Sequence, residues 1–349
     1  MFSGIPESGK FATDVHLPTV QILKKLVPGG LVDGPIAAKT YNSLRGLHLN
    51  RPDEFAEFQT TEVVYHDDVG DYSTNEPTMD GTADAILMMS LWSRKPDQVK
   101  RFPAGERDPR FVYDLGAITR GDRTTKKLAL VFTGDEFADG ADTIARTLKA
   151  QRVHGSFFLT GRFYRNPQFE RIIRRLKRDG HYLGAHSDAH ALCCDWSDRD
   201  KLLISREEFA QDLSRNYASM RVFGISKTDA RYFLPPFEWY NQTISDWTAA
   251  LNLQLINFTP GTRSNADYTT PEMKTFVGSK AILESIKQYE AKDTAGLNGF
   301  ILLSHIGVAP ARTDKFYDYL RDLVEWLKSK NYQLVTINEL LSCRSCSGR

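Results

Sequence analysis

An α/β protein built on a largely parallel sheet is the fold class this sequence predicts, and three observations predict it. Short continuous apolar runs recur after residue 127, helical stretches with one apolar face lie between them, and polar clusters follow several of the runs. Residues 128–133 (LALVFT) are almost wholly apolar, the pattern of a strand buried on both faces. Residues 141–151 predict a helix, and 155–160 (GSFFLT) the next strand. Residues 169–179 predict an amphipathic helix with Ile172, Ile173 and Leu176 on one side; its basic run RIIRRLKR reads as a solvated face rather than a nucleic-acid patch. Strands at 181–185, 231–234, 253–258, 300–304 and 334–336 alternate with helices at 206–223, 244–251, 280–289 and 317–330. Repeated alternation of this kind fits a (β/α) barrel or a doubly wound sheet.

Ahead of this block the sequence has another character. The 349 residues suggest about two domains at ~150 residues each. Residues 1–95 hold helix-like stretches at 15–26 and 83–93 between long polar loops, and no strand alternation. Residues 93–110 (SRKPDQVKRFPAGERDPR) are rich in proline and charge, so 96–126 reads as a linker. A hydrophobic content of 41% supports a real core. Forty-five basic against 44 acidic residues give a net charge of +1, which offers no field for nucleic acid or an anionic membrane. No run approaches the ~18 apolar residues of a membrane helix, and MFSGIPESGK does not read as a signal peptide. Cys193 and Cys194 are adjacent and Cys343 and Cys346 form a lone C-x-x-C, a poor basis for a zinc ribbon.

In such folds chemistry gathers at the C-terminal ends of the strands. His186 and His190, four residues apart across a small-residue turn, can reach one divalent ion; the alternative is a pair of hydrogen-bonding loop histidines. Asp135, Glu136 and Asp139 follow the first strand, with one suited to ligate a metal and another to act as general base, unless they simply form a polar turn. His305, just after ILLS, suits a general acid, against the alternative of a structural histidine. Pro235 and Pro236 stiffen a loop that walls a pocket, and Phe237, Trp239 and Tyr240 are candidates to stack on sugar rings or, equally, to be core aromatics.

Taken together, DGHYLGAHSDAH, FLPPFEWYN and ILLSH resemble the metal-binding and catalytic motifs of the polysaccharide deacetylases of carbohydrate esterase family four, over residues ~127–341. The resemblance implies a distorted (β/α) barrel with fewer than eight repeats, a divalent metal (usually zinc), and removal of acetyl groups from a polysaccharide or oligosaccharide. It also implies a periplasmic or secreted location. The family's first motif is Thr-Phe-Asp-Asp-Gly, with the first Asp as base and the second as ligand. Aligned on Thr133, Asp135 is the base and Glu136 a ligand beside His186 and His190. Aligned on Phe132, Thr133 and Gly134 occupy those places and Asp135, Glu136 or Asp139 substitutes from the loop. By the same resemblance His305 is the acid; Asp139, Arg231, Pro236, Phe237, Trp239 and Tyr240 are the candidates to bind substrate. The family's bracing Arg is Leu234 here, with Arg231 three residues earlier as the candidate replacement, and Asp267 is the candidate stand-in for the carboxylate that orients the last histidine.

Residues 29–35 (GGLVDGP) and 71–78 (DYSTNEPT) resemble the C-terminal end of glycoside hydrolase family nine, in which the Glu matching Glu76 is the general acid. That family's (α/α)6 barrel and its upstream base have no counterpart here, so 1–95 reads as a partial all-α fragment of a longer polypeptide, from a truncated gene or an internal start. Glycosidase action through Glu76 ranks below deacetylation and below a non-catalytic carbohydrate-binding role.

Overall fold

The computed structural model describes residues 31–76, 78, 82–84 and 107–342, divided into one unit of residues 1–98 and another of 99–349. In the first unit the described residues form an antiparallel pair, Ile36–Ala37 with Val63–Val64, a short helix Ala38–Tyr41 and a 3-10 turn Ala56–Phe58. Carboxylates organise the loops: Asp71, fully buried, accepts from Ser73 and Thr74 and pairs with His66 at 2.8 Å. Asp, Ser and Thr side chains of this kind compete with regular backbone pairing, which keeps the segment loop-rich. The helix expected at 15–26 lies outside the described residues, as does that at 83–93 beyond the helical residues 82–84.

In the second unit the apolar runs become the strands of one curled sheet. In chain order they are β1 (Val112–Asp114), β2 (Ala117–Arg120), β3 (Lys127–Gly134), β4 (Ser156–Leu159), β5 (Tyr182–Ala185), β6 (Tyr232–Phe233), β7 (Gln254–Leu255), β8 (Phe300–His305) and β9 (Gln333–Leu334). Their lateral order is β1-β2-β8-β3-β4-β5-β6-β7, with β9 also paired to β3. From β8 through β7 all pairings are parallel, and β2 joins β8 antiparallel. Beyond β7, Ile256 bridges back to Ile118 of β2, so the two ends of the sheet meet.

Strand periodicity sorts the core into two layers. Leu128, Leu130, Phe132, Phe157, Phe300 and Leu302 pack outward against the helices, while Ala129, Val131, Phe158, Ile301, Leu303 and Leu234 fill the inside of the curl. Burying each such side chain contributes roughly 1.5–3 kcal/mol. The outer helices present matching stripes: α1 (Ala141–Ala150) buries Ile144, Ala145 and Leu148, and after a short α2 (Gly161–Arg165), α3 (Glu170–Arg178) buries Ile172, Ile173 and Leu176. α4 (Arg206–Arg221) starts at a capping box between Ser205 and Glu208 and buries Phe209, Leu213, Tyr217 and Met220. α5 (Gln242–Ala250), α6 (Ser279–Lys292) and α7 (Leu320–Ser329) complete the layer.

One boundary needs correcting. Residues 112–120, placed by composition in a linker of 96–126, supply β1 and β2 of the main sheet. The Pro- and charge-rich signal stops before them, and two strands of three and four residues are too short to impose a visible period.

Candidate active site

Parallel pairing in register brings the strand ends to one rim. His305 lies opposite Thr133, Gly134 opposite Leu159, Leu159 opposite Ala185, and Ala185 opposite Phe233. The polar clusters that follow these residues are therefore neighbours.

His186 and His190 do converge: their ring centroids are 5.1 Å apart, nearly edge to face. Nδ1 of His186 donates to the Leu234 carbonyl at 2.8 Å, and its backbone N–H donates to Asn216 Oδ1 at 3.0 Å. That bond leaves Nε2 as the acceptor nitrogen. Burial, with His190 and His305 nearby, pushes the His186 pKa well below the ordinary value. Burial likewise takes His190 down to about 4, the charge of Asp135 opposing and that of Arg162 assisting. Both rings are neutral near pH 7, the form a metal ion requires. The turn between them is tightly made. Ser187 and His190 have φ of 70° and 55°, and Asp188 is clamped by Arg165 at 2.5 Å. A Cβ at Gly161 would lie 1.8 Å from Asp188 Oδ1, so only glycine fits there.

His305 is held at two points. Its Nδ1 lies 2.6 Å from Asp267 Oδ1, and its backbone N–H donates to Asp267 Oδ2 at 2.9 Å. Burial disfavours its charged form, but the charge and hydrogen bond of Asp267, joined by Glu238, outweigh this and raise the pKa above the ordinary 6.5. The stand-in glimpsed at Asp267 thus holds His305. Asp267 sits in a 3-10 turn, Ser264–Tyr268, whose loop is stapled by Arg312. This fully buried guanidinium donates to the carbonyls of Thr269 (2.6 Å), Asp314 (2.7 Å) and Val277 (3.0 Å).

The acidic turn behaves differently. Asp135 receives both Nε (3.1 Å) and Nη2 (2.5 Å) of Arg162, and Thr160 Oγ1 donates to it at 2.8 Å. Glu136 is exposed and lines a groove of about 650 Å³ with Phe137, Asp142 and Arg171. Asp139 accepts from the Val308 N–H and Tyr317 Oη and pairs with Lys315, each at 2.8 Å. Burial opposes that charge, but these partners hold its pKa below the ordinary value. Among the described residues no three His, Cys, Asp or Glu side chains gather as a metal set. The imidazole pair fits a divalent ion; the expected third ligand, Glu136, does not join it, because the turn directs its side chain outward.

Other expectations are also corrected. Arg231 precedes β6, and at about 3.3 Å rise per residue it stands near the far end of the strand from Leu234, whose fully buried side chain belongs to the apolar interior. Tyr240 is fully buried and donates to the Asp114 carbonyl at 3.1 Å, a core role rather than a stacking one. Pro236 is buried at the start of a 3-10 turn, Pro236–Glu238. Phe237 stays 43% exposed and packs on His190 at 4.4 Å, and Trp239 is half-buried. Asp139 is a brace between loops. In the first unit the Glu76 carbonyl accepts from the Asp33 N–H at 3.2 Å.

Three features had no role assigned from sequence. Arg162, at the start of α2, occupies Asp135. Glu238 follows Phe237 with both residues at positive φ (60° and 54°), and burial pushes its carboxyl up to about 7, His305 opposing and Asp267 assisting. Thr133 Oγ1 is buried with no hydrogen-bond partner among the described residues, on the strand beside His305.

Comparison with known proteins fits this geometry. Residues 120–256 match the family model for polysaccharide deacetylase. An uncharacterised 30.6 kDa protein of Geobacillus stearothermophilus is 27% identical over 110 residues, covering 32% of this chain and 38% of that protein. A chitin deacetylase of Colletotrichum lindemuthianum is 25% identical over 197 residues, covering 56% of this chain and 71% of that enzyme. Its solved structure superposes with a TM-score of 0.50 at 19% identity, over 67% of this chain and 96% of that one. A pseudoenzyme of carbohydrate esterase family four from Bacillus anthracis gives a TM-score of 0.51 at 18% identity, over 66% and 70% of the two chains. The chain thus spans well under half of the first relative's length and more than two thirds of the second's. These matches support a polysaccharide deacetylase domain with the family's fold. They lend no support to the glycoside hydrolase resemblance of residues 1–95. Among the described residues no helix is long and apolar enough to cross a membrane.

Proposed function

We propose that the second unit is a hydrolase that removes acetyl groups from a polysaccharide or oligosaccharide. The observation that carries this reading is the Asp267-held His305 standing on the same strand-end rim as the neutral His186 and His190. In this reading His305, kept protonated by Asp267, gives its proton to the departing sugar oxygen or nitrogen. Asp135, oriented by Arg162 and Thr160, accepts the proton of the attacking water. Glu238, on the turn beside Phe237, adds a polar group that can meet a bound sugar.

A divalent metal, zinc first, belongs to this reading as the group that would activate water and polarise the acetyl carbonyl. His186 and His190 would hold it. They supply two donors where such sites use three protein ligands, so no step is routed through the ion.

The test is acetate release by the whole chain from acetylated xylan and chitin oligomers, with and without chelator. Release that disappears in His305→Ala is the expected result, and no acetate from either substrate overturns the proposal. The engagement of Asp135 by Arg162 favours a second reading, a carbohydrate-binding module without turnover. Glycan binding with no acetate release would identify it.

A further inference from the structure

An unbroken series of aromatic rings runs from the histidine pair to solvent. His186 meets His190 at 5.1 Å, His190 meets Phe237 at 4.4 Å, Phe237 meets Trp196 at 5.6 Å, and Trp196 meets Trp239 at 5.5 Å. The inner rings are buried or nearly so, whereas Phe237 is 43% and Trp196 57% exposed. Burying an indole contributes strongly to folding, and one left more than half open on an ordered loop asks for an occupant.

The arrangement is built. The Trp239 indole N–H donates to the Asp195 carbonyl at 3.1 Å, which ties the loop carrying Trp196 to the turn carrying Phe237. Arg199 lies 4.4 Å over Trp239, occupying that ring and leaving Trp196 open. Phe237 and Glu238 both hold positive φ, and Asn257 secures the bend by donating to the Glu238 carbonyl at 2.8 Å. Left-handed backbone at two consecutive non-glycine residues costs about 1–3 kcal/mol each and persists where the surroundings enforce it, commonly at ligand sites.

We infer that Trp196 and Phe237 form a stacking subsite for a pyranose ring of a glycan chain, adjacent to the sugar that carries the scissile acetyl group. The inference rests on the deacetylase reading for its position and adds to it a requirement for a polymeric substrate. Two exposed rings offer far less than the roughly 800 Å² per partner of a stable protein interface, but they match the apolar face of one sugar. Charged groups at the rim, Asp195 and Lys201 among them, can meet hydroxyls.

The test uses the whole chain and a chitin dimer, chitohexaose and xylohexaose. The expected result is quenching of tryptophan fluorescence by a hexamer, lost in Trp196→Ala. Trp196→Ala should also weaken hexamer binding roughly tenfold and abolish the preference for hexamer over dimer, while Trp196→Phe restores part of it. Unchanged melting of Trp196→Ala shows that the fold is retained. Hexamer affinity equal to wild type in Trp196→Ala overturns the subsite whatever the activity, as does failure of both hexamers to bind wild type. Loss of a concentration-dependent dimer in that variant overturns it too, by making the patch a protein contact. Trp196-dependent hexamer binding without acetate release would leave the subsite standing and sink the deacetylase reading.

Discussion

The two sides of the strand-end rim differ in what each polar group was given as a partner. On the histidine side, His186 spends one nitrogen on a backbone carbonyl and His305 one on Asp267, so each ring is fixed yet keeps its other nitrogen. On the acidic side, Asp135 is gripped through both oxygens by Arg162, Asp139 is taken by Lys315, and Glu136 turns to solvent. His305 ends a strand and is placed by the sheet register. The carboxylates sit in a turn, where the nearest cation decides their direction. The comparison teaches that motif order along a chain fixes where polar groups gather better than which partner each of them takes.

The strongest way to break this contrast is His305→Ala. It should lower kcat for acetate release by about 10²–10⁴-fold with little change in KM; a drop below tenfold would remove His305 from the chemistry. Asp267→Asn sharpens the same side through pH. Asp267 holds His305 above the ordinary value, so activity that needs the imidazolium persists at low pH and fades as pH rises through the raised pKa. In Asp267→Asn that alkaline limb should move to lower pH, and an unmoved limb in the pH–rate profile would contradict the pairing. The linked stability has the same sign: the His305 contribution is complete below about pH 6.5 and lost above the folded-state pKa.

On the acidic side, Arg162→Ala should free Oδ2 of Asp135 and leave Oδ1 to Thr160. With the base less firmly oriented, kcat for acetate release is then expected to fall by about 10–10²-fold with little change in KM; an unchanged kcat would mean that Arg162 does not orient Asp135. Smallest of all is Asp139→Asn. It breaks an ion pair whose carboxylate is more than a third exposed, so a loss of at most about 1 kcal/mol is expected. Thermal melting should fall by a few degrees with acetate release kept.

Much of the fold was legible because long apolar runs and helical stripes leave little choice of face. Every strand expected after residue 127 exists, usually shortened at its ends. β1 and β2 escaped notice because the hairpin they form is short, residues 112–120 carry no period of their own, and the strand that takes them into the main sheet, β8, is remote in sequence. The histidines were legible as strand-end residues with a fixed spacing. Asp267 was hard to see because it comes from an irregular loop whose course depends on the buried Arg312. Arg162 carries no signal either: in GRFYR it reads as one more surface arginine, and only the closeness of β3 and β4 turns it toward Asp135. The metal set failed at Glu136 because adjacency in a turn says nothing about which way a side chain points.

The meeting of Ile118 with Ile256 has a practical consequence for anyone shortening this chain. A polypeptide begun at residue 127 would lack the segment that seals the seam of the sheet, leaving β8 and the backbone after β7 with raw hydrogen-bonding margins open to a neighbouring molecule. Aggregation of such a piece would then report a missing seam, and its silence in an assay would say nothing about the chemistry of the rim.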